Sequence, residues 1–174
     1  RVPGLNSRIL EGLVKVGAFD SVDPDRGKLF GNVSQALTAG HAVAASEGQS
    51  SLFGDDVQVK RIVSWVDAPS WSERKKLIEE KGALGFWLSG HLFDLYQAEV
   101  AHYTSLELGQ IQPSRETVKL AGIVTNIRVI QGKRGRMGAV QLDDGTAVLE
   151  VVCFSDAWEK CKNKFVVDSV VCIE

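Results

Sequence analysis

The chain has 174 residues, 44% hydrophobic and 24% charged, with a formal net charge of −2. That is enough apolar material for one or two globular domains of roughly 100–200 residues each, and it excludes a collagenous, low-complexity or wholly disordered chain. No run approaches the roughly 18 apolar residues of a membrane helix. The opening RVPGLNSR carries no signal-peptide core, and Arg1 in place of Met points to a processed or excised piece.

The N-terminal part reads as helical. Asn6 is a good N-cap, and Ile9, Leu10, Leu13, Val14 and Ala18 recur at helical spacing. Gly17 sits where a helix end wants a left-handed residue. A second helix is expected over 28–45, with Leu29, Phe30, Val33, Ala36 and Leu37 on one stripe and Gly48 ending it. From Glu47 to Pro69 the chain reads as a linker, with Gly48, Gly54 and the pair Asp55–Asp56. Ser70 then stands at an N-cap position with Glu73 three residues on, the spacing of a capping box, and WSERKKLIEEKGAL forms the helix. A further short helix is expected between His91 and Tyr103.

The pattern changes after Pro113. ETVKLAGIVTNIRVIQ is rich in β-branched residues and carries Gly122 at the bend expected of a long first strand. RMGAVQLDDG and TAVLEVVCF follow, joined through Asp144–Gly145, a hairpin signal. SDAWEKCKNKF reads as a helix with Ser155 as N-cap, and VVDSVVCIE as a last strand. Strand, strand, strand, helix, strand is the order of a Greek-key OB barrel whose fifth strand has not yet come. The expected class is therefore α+β, a small helical region followed by an incomplete five-stranded OB barrel. Cys153, Cys161 and Cys172 are eight and eleven apart, which fits neither a disulfide framework nor a Cys-x-x-Cys site. They read as buried thiols in a reducing compartment.

Catalytic signatures are scarce. GKRGRMG lacks the spacing of a phosphate loop, and Ser89-Gly90-His91 has no acid placed to complete a triad, so His91 reads as a hydrogen-bonded core residue. Asp143 and Asp144 are adjacent, and neighbouring strand residues point to opposite faces, so a hairpin turn explains them better than a shared metal ion. Charge is more telling. From Arg115 to Leu142 the cations Arg115, Lys119, Arg128, Lys133, Arg134 and Arg136 face the single anion Glu116, so the overall −2 hides a basic segment. Lys133, Arg134 and Arg136 lie in a glycine-bearing loop between the first two barrel strands, beside the nucleic-acid groove of OB folds. Aromatics for base stacking are few; Phe154 and Trp158 are the nearby ones, and both are candidates for the core. In the linker, Gln49-Ser50-Ser51-Leu52-Phe53 combines one amide with two large apolar groups. These residues either fold back on the domain or anchor in a partner's pocket.

Three segments, in order, resemble one family. LNSRILEGLVKVGAFD resembles the end of the helix-hairpin-helix region in the alpha subunit of bacterial DNA polymerase III, the C-family replicative polymerase. EEKGALGFWLSGHLFDLY resembles that family's E-K-E-x-L-G-F-Y-L-S-G-H-P-L stretch, with Leu92 in place of its Pro and Gly82 in place of a usual Glu. VKLAGIVTNIRVIQGKRGRMGAVQLDDGTAVLEVVCF resembles its OB domain. The resemblance implies a division into 1–46 (end of the helix-hairpin-helix region), 47–69 (linker with a clamp-binding motif), 70–112 (helical connector) and 113–174 (truncated OB domain). It places Gln49, Leu52 and Phe53 on the family's Gln-x-x-[Leu/Met]-Phe motif for the sliding clamp, and makes Arg128, Lys133, Arg134 and Arg136 candidates for single-stranded DNA. It further implies a cytoplasmic DNA-directed DNA polymerase as parent, with its Mg-binding active site elsewhere. No catalytic residue, metal or cofactor is then expected in this segment. The implied partners are the sliding clamp (the beta subunit), single-stranded and primed DNA and other replisome subunits, with no membrane. Two rivals are an OB domain of another class, such as a tRNA-binding attachment on a synthetase, and a small metal-dependent hydrolase built on Asp143, Asp144 and His91.

Overall fold

The computed structural model describes residues 4–47, 65–132 and 135–174. The chain divides into two compact units, Arg1–Phe86 and Trp87–Glu174. This division falls inside the stretch 70–112 that the sequence suggests as a connector.

The first unit is helical: α1 (Ser7–Lys15), α2 (Arg26–Gly31), α3 (Val33–Glu47) and α4 (Glu73–Leu84). Asn6 caps α1 by accepting from the Ile9 amide at 3.0 Å, and Gly17 follows the helix at φ +78°. The helix expected over 28–45 is in fact two, interrupted at Asn32. Asn32 is fully buried, and its side chain holds the chain at Val66, accepting from its amide at 2.7 Å and donating to its carbonyl at 2.9 Å. Those bonds to a distant segment replace helix continuation as the use of a residue with middling helix propensity. α4 is capped by Ser72, which accepts from the Lys75 amide at 3.3 Å, rather than by Ser70. The Ser70 hydroxyl instead donates to Asp25 and helps hold that carboxyl below its usual range.

Val14, Val33, Trp71 and Leu77 form the buried apolar set of this unit. Beside them lies an ion cluster whose Arg26 and Glu80 are buried and whose Asp20 reaches solvent. Arg26 donates to Glu80 at 3.1 Å, to Asp20 at 2.7 and 2.9 Å, and to the Lys15 carbonyl at 3.1 Å. Glu80 has no exposed surface. Hydrogen bonding to Asp20 raises the guanidinium pKa against the opposing effect of burial, with Glu80 adding to it. The cluster thus keeps its charges by satisfying them.

The second unit begins with a 3₁₀ turn at Leu92–Leu95, α5 (Gln97–Val100) and a second 3₁₀ turn at Leu108–Gln110. Then come β1 (Leu120–Gly132), β2 (Gly135–Asp143), β3 (Val148–Cys153), α6 (Ser155–Cys161) and β4 (Val170–Ile173). The sheet is antiparallel, in the order β3-β2-β1-β4. This is a curled four-stranded half-barrel of OB type, so the chain is α+β. β1 serves two neighbours: residues 120–123 pair with β4, while 123–132 pair with β2. The β1–β2 register shifts at a bulge between Val124 and Asn126, just past the point beside Gly122 where β1 changes partners. Gly122 also meets a packing need, since a Cβ there would come 3.1 Å from Leu142 Cβ and 3.2 Å from the Asp143 amide nitrogen.

Leu108, Leu120, Val124, Val140, Leu142 and Trp158 make the barrel core. Trp158 packs flat against Gly138 of β2 and stacks on Phe165 with ring centroids 6.1 Å apart. α6 has Phe154 at its N-cap position, with no side-chain cap; Ser155 is its first residue. The last strand is shorter than expected. Val166–Ser169 turns, with Asp168 at φ +62° and Ser169 bonded back to the Val166 carbonyl. The cysteines also differ from expectation: Cys172 is exposed, and Cys153 and Cys161 are only half-buried. Burial, with Cys161 beside it, pushes the Cys153 thiol up.

Candidate nucleic-acid interface

The strand register sorts the barrel's side chains into two faces. Ile127, Val140 and Val151 stand opposite one another and point into the core. Asn126, Gln141 and Glu150 form a row on the outer face, and Arg128, Ala139 and Val152 form the next. The pair Ile130 and Met137 continues that face toward the hairpin end. Phe154 follows Cys153 in extended conformation (φ −66°, ψ 161°), so the alternation carries its side chain to the same outer face. Phe154 is 69% exposed, whereas Trp158 is 5% exposed in the core. Of the two aromatics that the sequence left undecided, one is a surface ring and the other structural.

The two described basic candidates, Arg128 and Arg136, lie on opposite faces. Arg128 lies on the outer face and pairs diagonally across β2 with Glu150. Arg136 stands opposite Gln131, three residues from Ala139, and therefore projects from the other face of the β1–β2 ribbon. There it lines a shallow groove with Ser155, Asp156, Glu159 and Lys160. Lys133 and Arg134 lie outside the described residues, as do Gln49, Leu52 and Phe53.

The β2–β3 turn is tied to the segment before the barrel. The Asp144 carboxylate accepts from the Leu108 amide at 2.7 Å, the Thr146 amide at 2.8 Å, the Thr146 hydroxyl at 2.7 Å and the Ala147 amide at 3.1 Å. Burial works against its ionisation, but the hydrogen bonds from Thr146, Leu108 and Ala147 outweigh it and hold the carboxyl below its usual range. The Thr146 hydroxyl also accepts from the Gly109 amide at 3.0 Å. Asp143 accepts from the Gly145 amide and faces His91, whose Nε2 is 3.2 Å away. His91 Nδ1 accepts from the Phe93 amide at 3.2 Å, which leaves the neutral ring's proton on Nε2. His91 thus caps the first 3₁₀ turn and stands edge-on to Trp87, with ring centroids 4.3 Å apart. The two carboxylates serve different partners, a turn and its anchor, and do not converge on one point. Among the described residues no group of three or more His, Cys, Asp or Glu is placed to hold a metal ion, and no helix is long and apolar enough to cross a membrane.

Sequence reasoning missed three contributors. Glu150 was not expected to neutralise Arg128, because the contact crosses an intervening strand. Gly138 carries no motif, and only the ring against it explains it. Asp144 was read as a turn residue, but its bond to the distant Leu108 amide leaves no local signal.

Residues 118–174 match the family of OB-fold nucleic acid binding domains. Over 170 residues the chain is 38% identical to DNA polymerase III subunit alpha of Neisseria meningitidis, covering 98% of this chain and 15% of that protein. It is 34% identical to the same-named proteins of Vibrio cholerae, over 90% of this chain and 14% of that protein, and of Escherichia coli K12, over 97% and 15%. The chain spans about 15% of the length of the curated relatives it matches. It therefore resembles, almost from end to end, one segment of these alpha subunits, OB domain included.

Proposed function

We propose that this chain is the DNA-holding and clamp-docking segment of a replicative polymerase alpha subunit. In this reading the barrel takes up template single strand through Arg128, Lys133, Arg134 and Arg136, and Gln49, Leu52 and Phe53 dock the sliding clamp. The observation that carries it is the continuous match along 98% of the chain to proteins of one name, ending in an OB-fold nucleic-acid-binding domain. Nucleotidyl transfer with Mg belongs, on this reading, to parts of the parent outside this chain. No cofactor is assigned here. The partners are single-stranded and primed DNA, the clamp and other replisome subunits, in the cytoplasm and without a membrane.

The physical roles follow from residue type. Arg and Lys neutralise phosphates and release their counterions. Gln49 would hydrogen-bond at the rim of a pocket that Leu52 and Phe53 fill. Burying both side chains is worth roughly 3–6 kcal/mol gross. Ordering the peptide removes much of that, so docking alone is weak, and simultaneous DNA contact strengthens it through effective concentration.

Two assays test the halves separately. Anisotropy of a labelled oligothymidylate should show affinity falling with salt, at a log–log slope of about −0.7 per phosphate neutralised. Absence of binding at low salt, or tRNA displacing the oligonucleotide far better than single-stranded DNA does, refutes the DNA half. The double variant Leu52→Ala/Phe53→Ala should lose retention on immobilised sliding clamp, and undiminished retention refutes the docking half.

A further inference from the structure

The outer face of the sheet carries one described cation within reach of a strand, and it is already occupied. Arg128 is about half exposed, yet its guanidinium pairs with the half-exposed carboxylate of Glu150, two residues along β3 from Val152 in the Arg128 row. Next to this pair the face is apolar and open, with Ile130, Val152 and, beyond them, the Phe154 ring. Phe154 is held in place from behind: its carbonyl accepts the Trp158 amide at 2.7 Å, so α6 anchors its backbone while the ring stays in water. An anchored, exposed aromatic on the same face as a cation suits a nucleobase and its phosphate, because every base has a stacking face and sequence need not be read.

We propose that Glu150 is an internal competitor for Arg128, so that a single strand whose base stacks on Phe154 must displace Glu150 before its phosphate gains the guanidinium. This rests on the reading of the barrel as a single-strand binder and adds the residues that set its strength. A surface ion pair is a weak lock, because water and salt screen it and two flexible side chains must be held in register. The competition therefore lowers affinity without abolishing it. It makes the outer face a surface that a strand grips and leaves readily.

The test is oligothymidylate anisotropy with the full chain and point variants, in low salt. Glu150→Gln keeps the side chain's shape and removes its charge. It should tighten binding by about two- to fivefold, the range a surface pair commands. In an Arg128→Ala background the same change should leave affinity unaltered. An equal gain in both backgrounds means that Glu150 acts only as a general negative charge, and overturns the competition. Phe154→Leu should weaken binding by about tenfold with the salt slope unchanged, while Phe154→Tyr retains it. Equal affinity of the Leu and Tyr variants overturns the stacking role. If the unaltered chain does not bind at all, the parent reading fails. If it binds but Glu150→Gln brings no gain, this inference alone fails.

Discussion

Gly138→Ala is the sharpest test of the barrel's architecture. An ideal Cβ on Gly138 overlaps the six-membered ring of Trp158 and comes 2.6 Å from its Cδ2. Ordinary carbon contacts are about 3.5–4.0 Å, so the indole must retreat by about 1 Å or more. It has nowhere to go: Trp158 belongs to the cluster of Leu108, Leu120, Val124, Val140 and Leu142, with Phe165 stacked on it. Forcing a methyl into such packing costs about 1–3 kcal/mol, and full expulsion of an aromatic about 3–5 kcal/mol. Ala regains about 0.5–1 kcal/mol over Gly in backbone entropy. The expected net loss is therefore about 2–4 kcal/mol. Hydrogen–deuterium exchange is the suitable assay, because it reads the opening free energy of β1 and β2 amides without assuming that both units unfold together. In a Trp158→Leu background the same Gly138→Ala change should cost under about 1 kcal/mol, since the smaller side chain vacates the overlap. Equal losses in both backgrounds, or none in either, would refute the contact as the reason for the glycine.

Three further outcomes follow from the geometry. Asp144→Asn should cost the second unit about 1.5–3 kcal/mol, because an amide cannot accept from all four donors. Since the native Asp144 pKa is depressed below 3.8, its contribution is complete above about that pH and is lost as the pH falls through the lowered native value. An acid titration of β2–β3 amide protection should therefore flatten in the variant. Arg26→Met should destabilise the helical unit by about 3–5 kcal/mol by removing the cation that faces the fully buried Glu80 carboxylate, while Arg26→Met combined with Glu80→Leu recovers most of it; a denaturation series on the two variants checks the difference. Ser72→Ala should cost α4 about 1 kcal/mol in local exchange protection, as loss of an N-cap does.

Local chemistry was readable in the chain and distant chemistry was not. Asn6 capping α1, the left-handed Gly17 and the Asp144–Gly145 turn are decided within a few residues, and each was legible in advance. The sequential order strand, strand, strand, helix, strand followed from β-branched runs, one hairpin signal and one helical interruption. The break at Asn32 was invisible because its partner, Val66, is far along the chain. Ser70 and Ser72 are both plausible caps by composition, and the bond from Ser70 to Asp25 decides between them. The basic loop looked like one patch in sequence. Its parity on the antiparallel ladder depends on register, and register sends Arg128 and Arg136 to opposite faces. Phe154 and Trp158 are both candidates for the core by composition, but only Trp158 turns inward from the helix that begins at Ser155.

The ties from the β2–β3 turn to Leu108, Gly109 and His91 bear on where this barrel is cut for expression. Sequence similarity to OB domains begins at residue 118. A clone starting there would delete the amides that Asp144 and Thr146 hold, and would strip Leu108 from the core. The Asp144 carboxylate would keep its three donors within the turn but lose the Leu108 amide, and would face an emptied seat. A soluble, well-behaved barrel calls for a first codon at or before Trp87, where the compact unit itself starts.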